Sequence, residues 1–207
     1  NKGAKMFSKE LGVKLDKYHL LKHPFYQKYW NEGKLTREII KDYAEQYYQH
    51  VKAFPRYISA THSICEDLEK RKILLENLQD EENKDGDHPK LWKNFAKALG
   101  ADEKEIEKVK LDWFTKDMID NFFSQARKSY AEGLASLYTY ERQIPEIAET
   151  KIQGLKKFYG VNTKEGLEFF EAHKSADVIH RAECEKLLDG LSKEEQVKAE
   201  KASVLTA

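Results

Sequence analysis

The scarcity of helix-breaking residues is the strongest constraint that this sequence places on its fold. Only 4 prolines and 10 glycines interrupt 207 residues, and the apolar residues between them recur with the period of an α-helix rather than that of a strand. The pattern predicts an all-α bundle of about seven to eight helices. With 40% hydrophobic residues the chain is long enough for one core, so we expect a single domain over residues 1–207.

Helix start and stop signals divide the chain into segments. We expect helices at about residues 5–30, 36–54, 55–64, 66–83, 88–99, 115–132, 133–159 and 164–189, with a charged connector at 101–110. Pro55 is expected in the first turn of its helix. Ser192 and Glu195 have the spacing of a capping box. They predict one more helix, which reaches residue 207 without a stop signal and is expected to be incomplete there.

Charge and cysteine content exclude several classes of partner. Lys plus Arg and Asp plus Glu amount to 36 each, so no net field attracts nucleic acid or an anionic membrane. No signal peptide and no membrane-spanning apolar run is recognisable, and the two cysteines form no disulfide framework. We therefore expect a cytoplasmic protein whose function lies in an internal pocket. The oligomeric state stays open, with a homodimer among the states that the sequence allows.

Three polar residues interrupt the apolar face of the helix predicted at 164–189. His173, Asp177 and His180 are spaced i, i+4 and i+7, so they lie within a narrow arc of one helical face. Phenylalanine, cysteine and leucine side chains occupy the rest of that face. No salt-bridge partner is available along the stripe, so the pattern favours metal binding over a structural role.

Two more carboxylates and one more histidine fall on predicted apolar faces. Glu141 interrupts an apolar stripe, and Pro145, four residues later, has no N–H to donate to its carbonyl, which predicts a kink there. Glu81 lies in register with leucines of its helix, and His88 follows seven residues later. One such residue alone is more often simply hydrogen-bonded. Together with the trio, however, they make six candidate metal ligands.

Metal ions would offset the cost of burying these groups. Each ionised group loses several kcal/mol of hydration on burial unless it is compensated. Two divalent ions and a bridging hydroxide would neutralise the carboxylates, and mixed carboxylate and imidazole ligands suit iron or manganese. We therefore predict two iron ions, with manganese or a mixed Fe/Mn pair using the same ligands. Metals about 3.5–4 Å apart would let O2, the expected co-substrate, bridge them.

An aromatic stripe runs along the helix predicted at 36–54. Tyr43, Tyr47, His50 and Phe54 are spaced i, i+4, i+7 and i+11. Core packing is the commoner role of such a stripe. The alternative is that Tyr43 and Tyr47 line a pocket beside an oxidising metal centre, where phenols are redox-active.

Five segments resemble one known family over nearly the whole chain. They are HPFYQKYW at 23–30, DYAEQYYQHVKAFPRYISATHSIC at 42–65, DEENKDGDHPKLW at 80–92, LYTYERQIP at 137–145 and AHKSADVIH at 172–180. The sequence resembles the TenA/PqqC superfamily, whose members have a heme-oxygenase-like helical fold. Within it, the chain is most similar to the CADD-like branch, the chlamydial proteins associating with death domains and their relatives.

The resemblance implies a specific chemistry. It implies an O2-dependent di-iron enzyme that makes p-aminobenzoate for folate from one of its own tyrosines, with electrons from an external reductant. The matching tyrosine is Tyr26, and the matching amino donor is Lys151. Tyr43 and Tyr47 are then expected to line the pocket. The implied iron ligands are the six found by spacing, namely Glu81, His88, Glu141, His173, Asp177 and His180.

Two alternatives stay open at the level of the sequence. One is a PqqC-like oxidase of cofactor biosynthesis that acts on an external small aromatic substrate. The other is a non-enzymatic helical protein that binds a death-domain partner. A thiaminase of the TenA kind is disfavoured, because no cysteine lies between Cys65 and Cys184. Both cysteines are expected to be small buried hydrophobes.

Overall fold

A computed structural model describes residues 5–207, except for the side chains at positions 5, 6, 176 and 177. The described part is predominantly helical and contains no strand, which confirms the predicted all-α class. Its α-helices are α1 (Lys5–Asp16), α2 (Arg37–Ile64), α3 (Leu68–Glu81), α4 (His88–Ala98), α5 (Glu103–Lys108), α6 (Trp113–Lys128), α7 (Tyr130–Glu141), α8 (Ile144–Phe158), α9 (Lys164–Asp189) and α10 (Lys193–Thr206). A 3-10 turn at Leu20–Lys22 and a π-helix at Phe25–Trp30 join α1 to α2.

Side-chain caps begin the helices that carry the candidate ligands. Asp67 accepts hydrogen bonds from backbone N–H groups at the start of α3, and Asp87 and Thr163 do so at the starts of α4 and α9. The predicted capping box of Ser192 and Glu195 is present at the start of α10. The bounds predicted for α9 are confirmed residue for residue.

The predictions for two prolines were wrong. Pro55 does not begin a helix but lies buried inside α2, where packing on neighbouring helices keeps the chain helical despite the missing N–H donor. The helix predicted at 133–159 is broken rather than kinked, since α7 ends at Glu141 and α8 begins at Ile144. Pro145 occupies the first turn of α8, a position where its missing donor costs nothing.

Other boundaries differ where a local cap outweighs the apolar period. Ser129 is extended and caps α7, so the helix predicted at 115–132 ends at Lys128. Asp102 caps α5 inside the segment that was expected to be a connector. The segment predicted as one helix at 5–30 divides into α1, the 3-10 turn and the π-helix.

The helices that carry the candidate ligands pack against one another. Helix α9 contacts α3, α4, α7 and α8, while α2 packs on α3, α4 and α7. Almost every residue of α7 is buried. The candidate ligands of α3, α4 and α7 and the two histidines of α9 therefore face the interior of the bundle. Tyrosines from α2 and the π-helix and Lys151 from α8 face it as well.

The π-helix brings three aromatic residues to one face. Hydrogen bonds from residue i+5 to residue i place side chains five positions apart above one another, and the amide of Asn31 donates to the carbonyl of Tyr26 at 3.0 Å. The rings of Phe25 and Trp30 accordingly stack, 6.3 Å apart. The Trp30 indole donates to the carbonyl of Thr150 on α8 at 3.0 Å.

None of the helices in the described part of the chain has the length and apolar character that crossing a membrane requires.

Candidate metal centre and aromatic pocket

Three of the six predicted ligands form one buried group. The ligand atoms of Glu81, His88 and His173 all lie within 4.8 Å of one another. Glu81 is the last residue of α3 and His88 the first of α4, so the turn between these helices brings them together, with His88 Nδ1 2.7 Å from Glu81 Oε2. His173 reaches the same point from α9. This carboxylate and imidazole set is of the type that binds a divalent transition metal.

Hydrogen bonds and charges within the protein orient these candidate ligands. His173 Nδ1 lies 2.7 Å from the carbonyl oxygen of Phe169, which can only accept, so Nδ1 carries the hydrogen and Nε2 keeps its lone pair for a metal. Burial acts to raise the pKa of Glu81. The neighbouring His88 outweighs that effect, and the pKa of the carboxyl lies below its usual value. A buried, ionised and oriented donor set fits iron or manganese.

Asn77 and Cys184 both hold Glu141, the last residue of α7, by hydrogen bonds. Glu141 is 1% exposed. Asn77 Nδ2 donates to its Oε1 at 2.8 Å, and the thiol of Cys184 donates to its Oε2 at 3.4 Å. Both partners are residues that the sequence analysis did not assign to the site. Asn77 lies one turn before Glu81 on α3, and this i, i+4 spacing is the signal that would have found it.

His180 is paired with a carboxylate that was also missed. Its Nε2 lies 2.8 Å from Oδ2 of Asp80, the residue that precedes Glu81. His180 is close enough to the three-residue group that it helps to lower the pKa of Glu81. The side chain of Asp177, the sixth predicted ligand, lies outside the described residues. The described part therefore brings three predicted ligands into one group and places Glu141 and His180 in separate hydrogen bonds.

Lys151 is a buried lysine surrounded by aromatic rings. It is 2% exposed, and its Nζ lies 4.3 Å from the ring centroid of Tyr43, 4.4 Å from Trp30, 5.3 Å from Tyr26 and 5.4 Å from Phe25. The ring faces attract a cation, but burial dominates and lowers the pKa of Lys151 to about 7. A large fraction of the amine is therefore neutral, and nucleophilic, near neutral pH.

The predicted tyrosines surround this amine as protonated phenols. Burial, followed by the nearby Tyr47, raises the pKa of Tyr26, and burial raises that of Tyr47 to about 12. Burial also raises the pKa of Tyr43 well above its usual value. Tyr47 donates a hydrogen bond to the hydroxyl of Tyr140 at 3.0 Å. Tyr140 was missed by the sequence analysis, although it directly precedes Glu141.

A small cavity separates the lysine from the candidate ligands. Its volume is about 30 Å³, and its lining includes both Lys151 and His173. Because about 10–15 Å³ holds one water molecule, it has room for about two. That space accommodates a diatomic molecule but not an aromatic ring. The remaining lining consists mainly of Tyr43, Tyr47, Trp92, Tyr140, Phe169 and Phe170.

The fold and the site define a helical protein with a buried carboxylate and imidazole group beside an aromatic pocket. The chain belongs to the TENA/THI-4/PQQC family, whose sequence pattern matches residues 10–207. It is 43% identical over 198 residues to the 4-aminobenzoate synthase of Chlamydia muridarum, covering 95% of this chain and 84% of that protein. It is 39% identical to the 4-aminobenzoate synthase of Nitrosomonas europaea, covering 93% and 84%.

Solved structures of distant relatives share the fold. A CADD-like protein of unknown function from Nostoc punctiforme superposes with a TM-score of 0.81 at 15% identity, covering 100% of this chain and 93% of that one. A domain with a heme oxygenase-like fold from Shewanella denitrificans gives a TM-score of 0.76 at 18% identity, covering 96% and 86%. The family and the heme-oxygenase-like fold expected from the sequence are confirmed.

Proposed function

We propose that this protein makes 4-aminobenzoate (p-aminobenzoate) by an O2-dependent oxidation in which its own Tyr26 supplies the aromatic ring. Relatives named 4-aminobenzoate synthase, at 39% and 43% identity over more than nine-tenths of the chain, support the product. One structural observation supports Tyr26 as the source of the aromatic ring. The Lys151 amine lies 5.3 Å from the ring centroid of Tyr26, while the adjoining cavity of about 30 Å³ has no room for a free aromatic substrate.

The metal ions belong to this proposal. Glu81, His88 and His173 would hold one ion, and Glu141, Asp177 and His180 a second. Bound iron, or iron with manganese, would supply the activation of O2, with electrons from an external reductant. The protein contributes the orientation of His173 through the Phe169 carbonyl and the hydrogen bonds that hold Glu141.

Tyr26 and Lys151 would contribute the atoms of the product. The ring and Cβ of a tyrosine carry the carbon skeleton of 4-aminobenzoate. Cleavage of the Cα–Cβ bond would release it, with O2 as the oxidant that converts Cβ to the carboxylate. Lys151 would provide the nitrogen by cleavage of its Cε–Nζ bond, and the phenol oxygen that this nitrogen replaces would leave as water. The same amine, neutral because it is buried, would accept the phenol proton when Tyr26 is oxidised. Tyr43 packs against the Lys151 amine and against Tyr47 and so fixes the position of these groups.

A single-turnover experiment tests the proposal. Protein labelled with ring-deuterated tyrosine is loaded with Fe(II), or with Fe(II) and Mn(II), reduced and exposed to O2. We expect deuterated 4-aminobenzoate at no more than one molecule per chain, together with loss of the Tyr26 side chain in peptide mass spectra. Tyr26→Phe should abolish the product and keep the metal content. Tyr29→Phe, in the same π-helix but 49% exposed, is the matched control and should leave the yield unchanged.

Two outcomes would overturn the proposal. Repeated turnover of an added aromatic compound with Tyr26 intact would make the protein an oxidase of external substrates, as in the PqqC-like alternative.

The metal assignment has its own test, an elemental analysis of the purified protein. His173→Ala or Asp177→Ala should lower the metal content, and a wild-type content in both variants would refute the ligand set.

A further inference from the structure

Trp92 lies between the candidate metal ligands and the tyrosines. It follows His88 by one turn of α4 and is almost fully buried. Its ring centroid lies 4.9 Å from that of Phe169, 5.1 Å from that of Tyr47 and 5.9 Å from that of Tyr43. Trp92 therefore contacts the ligand-bearing side of the pocket and the tyrosine side at once.

Contacts continue from both sides of Trp92. Phe169 stacks on His173, with ring centroids 4.0 Å apart. On the other side, the Lys151 amine lies over the rings of both Tyr43 and Tyr26, at 4.3 and 5.3 Å. Packed aromatic rings thus run from the ligand helices to Tyr43 and Tyr47, and the Lys151 amine lies between the rings of Tyr43 and Tyr26.

We propose that Trp92 is a relay residue, through which electrons move from Tyr26, Tyr43 and Tyr47 to the metal centre. This proposal rests on the proposed function. In each transfer Trp92 loses one electron towards the metal centre, where O2 is the final oxidant, and regains one electron from Tyr43 or Tyr47. Tyr26 then reduces the oxidised tyrosine. Trp92 ends unchanged, and the net result is the removal of one electron and one proton from a tyrosine.

The hydrogen bond of the Trp92 indole favours this role. Nε1 donates to the carbonyl of Ala44 at 2.7 Å, and a carbonyl is too weak a base to take the proton from an oxidised indole. Trp92 therefore stays a strong oxidant until an electron returns. The phenol that supplies the electron must lose its proton. For Tyr43 the base beside the ring is the Lys151 amine, 4.3 Å from the ring centroid. Burial lowers the pKa of Lys151 to about 7, which makes the neutral amine available.

The remaining neighbours of Trp92 direct the transfer. Phe95, Phe169 and Phe170 also contact its ring, with centroids 4.9 to 5.8 Å away. A phenyl ring is much harder to oxidise than an indole or a phenol, so the Trp92 radical cannot oxidise these phenylalanines. The Trp92 radical therefore oxidises Tyr43 or Tyr47 instead.

Photochemistry without metal or O2 tests the relay directly. The chain has 3 tryptophans, so a Trp30→Phe/Trp113→Phe variant keeps only Trp92. Laser pulses at the red edge of indole absorption ionise tryptophan but not tyrosine. We expect the Trp92 radical to decay as a tyrosyl radical appears, and adding Tyr43→Phe/Tyr47→Phe should slow that decay by roughly tenfold or more.

The matched control keeps Trp113 alone, in a Trp30→Phe/Trp92→Phe variant. Trp113 is 68% exposed at the start of α6, and its radical decay should not respond to Tyr43→Phe/Tyr47→Phe. If the Trp92 radical produces no tyrosyl radical, or decays equally fast without Tyr43 and Tyr47, the relay is refuted. This result does not depend on whether the protein makes 4-aminobenzoate.

A second experiment uses the metal-loaded protein. Trp92→Phe should lower the product yield after O2 exposure by roughly tenfold or more, with metal content unchanged and Tyr26 retained in peptide mass spectra. Trp92→Tyr restores an oxidisable ring and should recover product, which a purely structural role does not predict. A wild-type yield from Trp92→Phe would overturn the relay. Absence of product from the wild type would instead refute the proposed function and leave the photochemical result standing.

Discussion

Replacing Lys151 with methionine should stabilise the protein, by an amount that depends on pH. Burial lowers the pKa of Lys151 from its usual 10.5 to about 7 in the folded protein. At about 1.4 kcal/mol per pH unit, this difference corresponds to about 5 kcal/mol of destabilisation when the lysine is charged. Methionine fills a similar volume among the four aromatic rings and carries no charge.

The sign follows from the protons bound in each state. Below about pH 7 both folded and unfolded states are protonated, and the folded state bears the full cost of a buried cation. Between about pH 7 and 10.5 the unfolded state binds the proton and the folded state does not, so the stability of the lysine protein rises with pH. Above that window both states are neutral. The advantage of methionine should therefore fall by about 1.4 kcal/mol per pH unit through the window.

Urea unfolding of the wild type and of Lys151→Met at several pH values from about 6 to 10 measures the difference in their free energies of unfolding. The contributions of the other titrating groups cancel in this difference, because both proteins contain them. Lys156→Met is the control, because Lys156 is exposed on the same helix. Its stability difference from the wild type should be flat across the range. A flat difference for Lys151→Met as well would refute a buried amine with a lowered pKa, and with it the neutral nucleophile that the proposed function requires.

Three further outcomes test the structure around the site. Gly154→Ala should cost about 1–3 kcal/mol in urea unfolding, because its Cβ would clash with the Trp30 indole. Gly86→Ala, whose nearest contact is 3.8 Å away, should cost much less. Fe(II) added anaerobically should raise the melting temperature of the wild type, and an unchanged midpoint would count against a metal site in the folded state. Asn77→Ala should weaken metal affinity by about ten- to a hundredfold in a Mn(II) titration, because the amide that holds Glu141 is lost, and unchanged affinity would contradict that role.

Local signals in the sequence predicted those features that lie within one helix. The bounds of α9 follow from the Thr163 cap and the Gly190 end, both readable in the sequence. The i, i+7 spacing placed His173 and His180 on one buried face, and both are buried in the structure. The turn between Glu81 and His88 was short enough for the sequence to suggest that the two act together.

Features that depend on packing between helices could not be predicted in this way. Pro55 stays inside α2 because neighbouring helices bury it, which outweighs its intrinsic tendency to end a helix. The pairing of His180 with Asp80 joins two helices 100 positions apart in the chain. Tyr26 and Lys151 were selected by family resemblance alone, because the π-helix and α8 share no periodic pattern that would place one beside the other.

The small cavity beside Lys151 limits how this protein could be inhibited. Under the proposed function the substrate is built into the chain, so it has no Michaelis constant and its local concentration is fixed by the fold. A ring-sized competitive inhibitor finds only about 30 Å³ of space and would have to displace packed aromatic side chains to bind. Under the proposed function, inhibitors would therefore act by withdrawing the metal, intercepting the reductant or loosening the core.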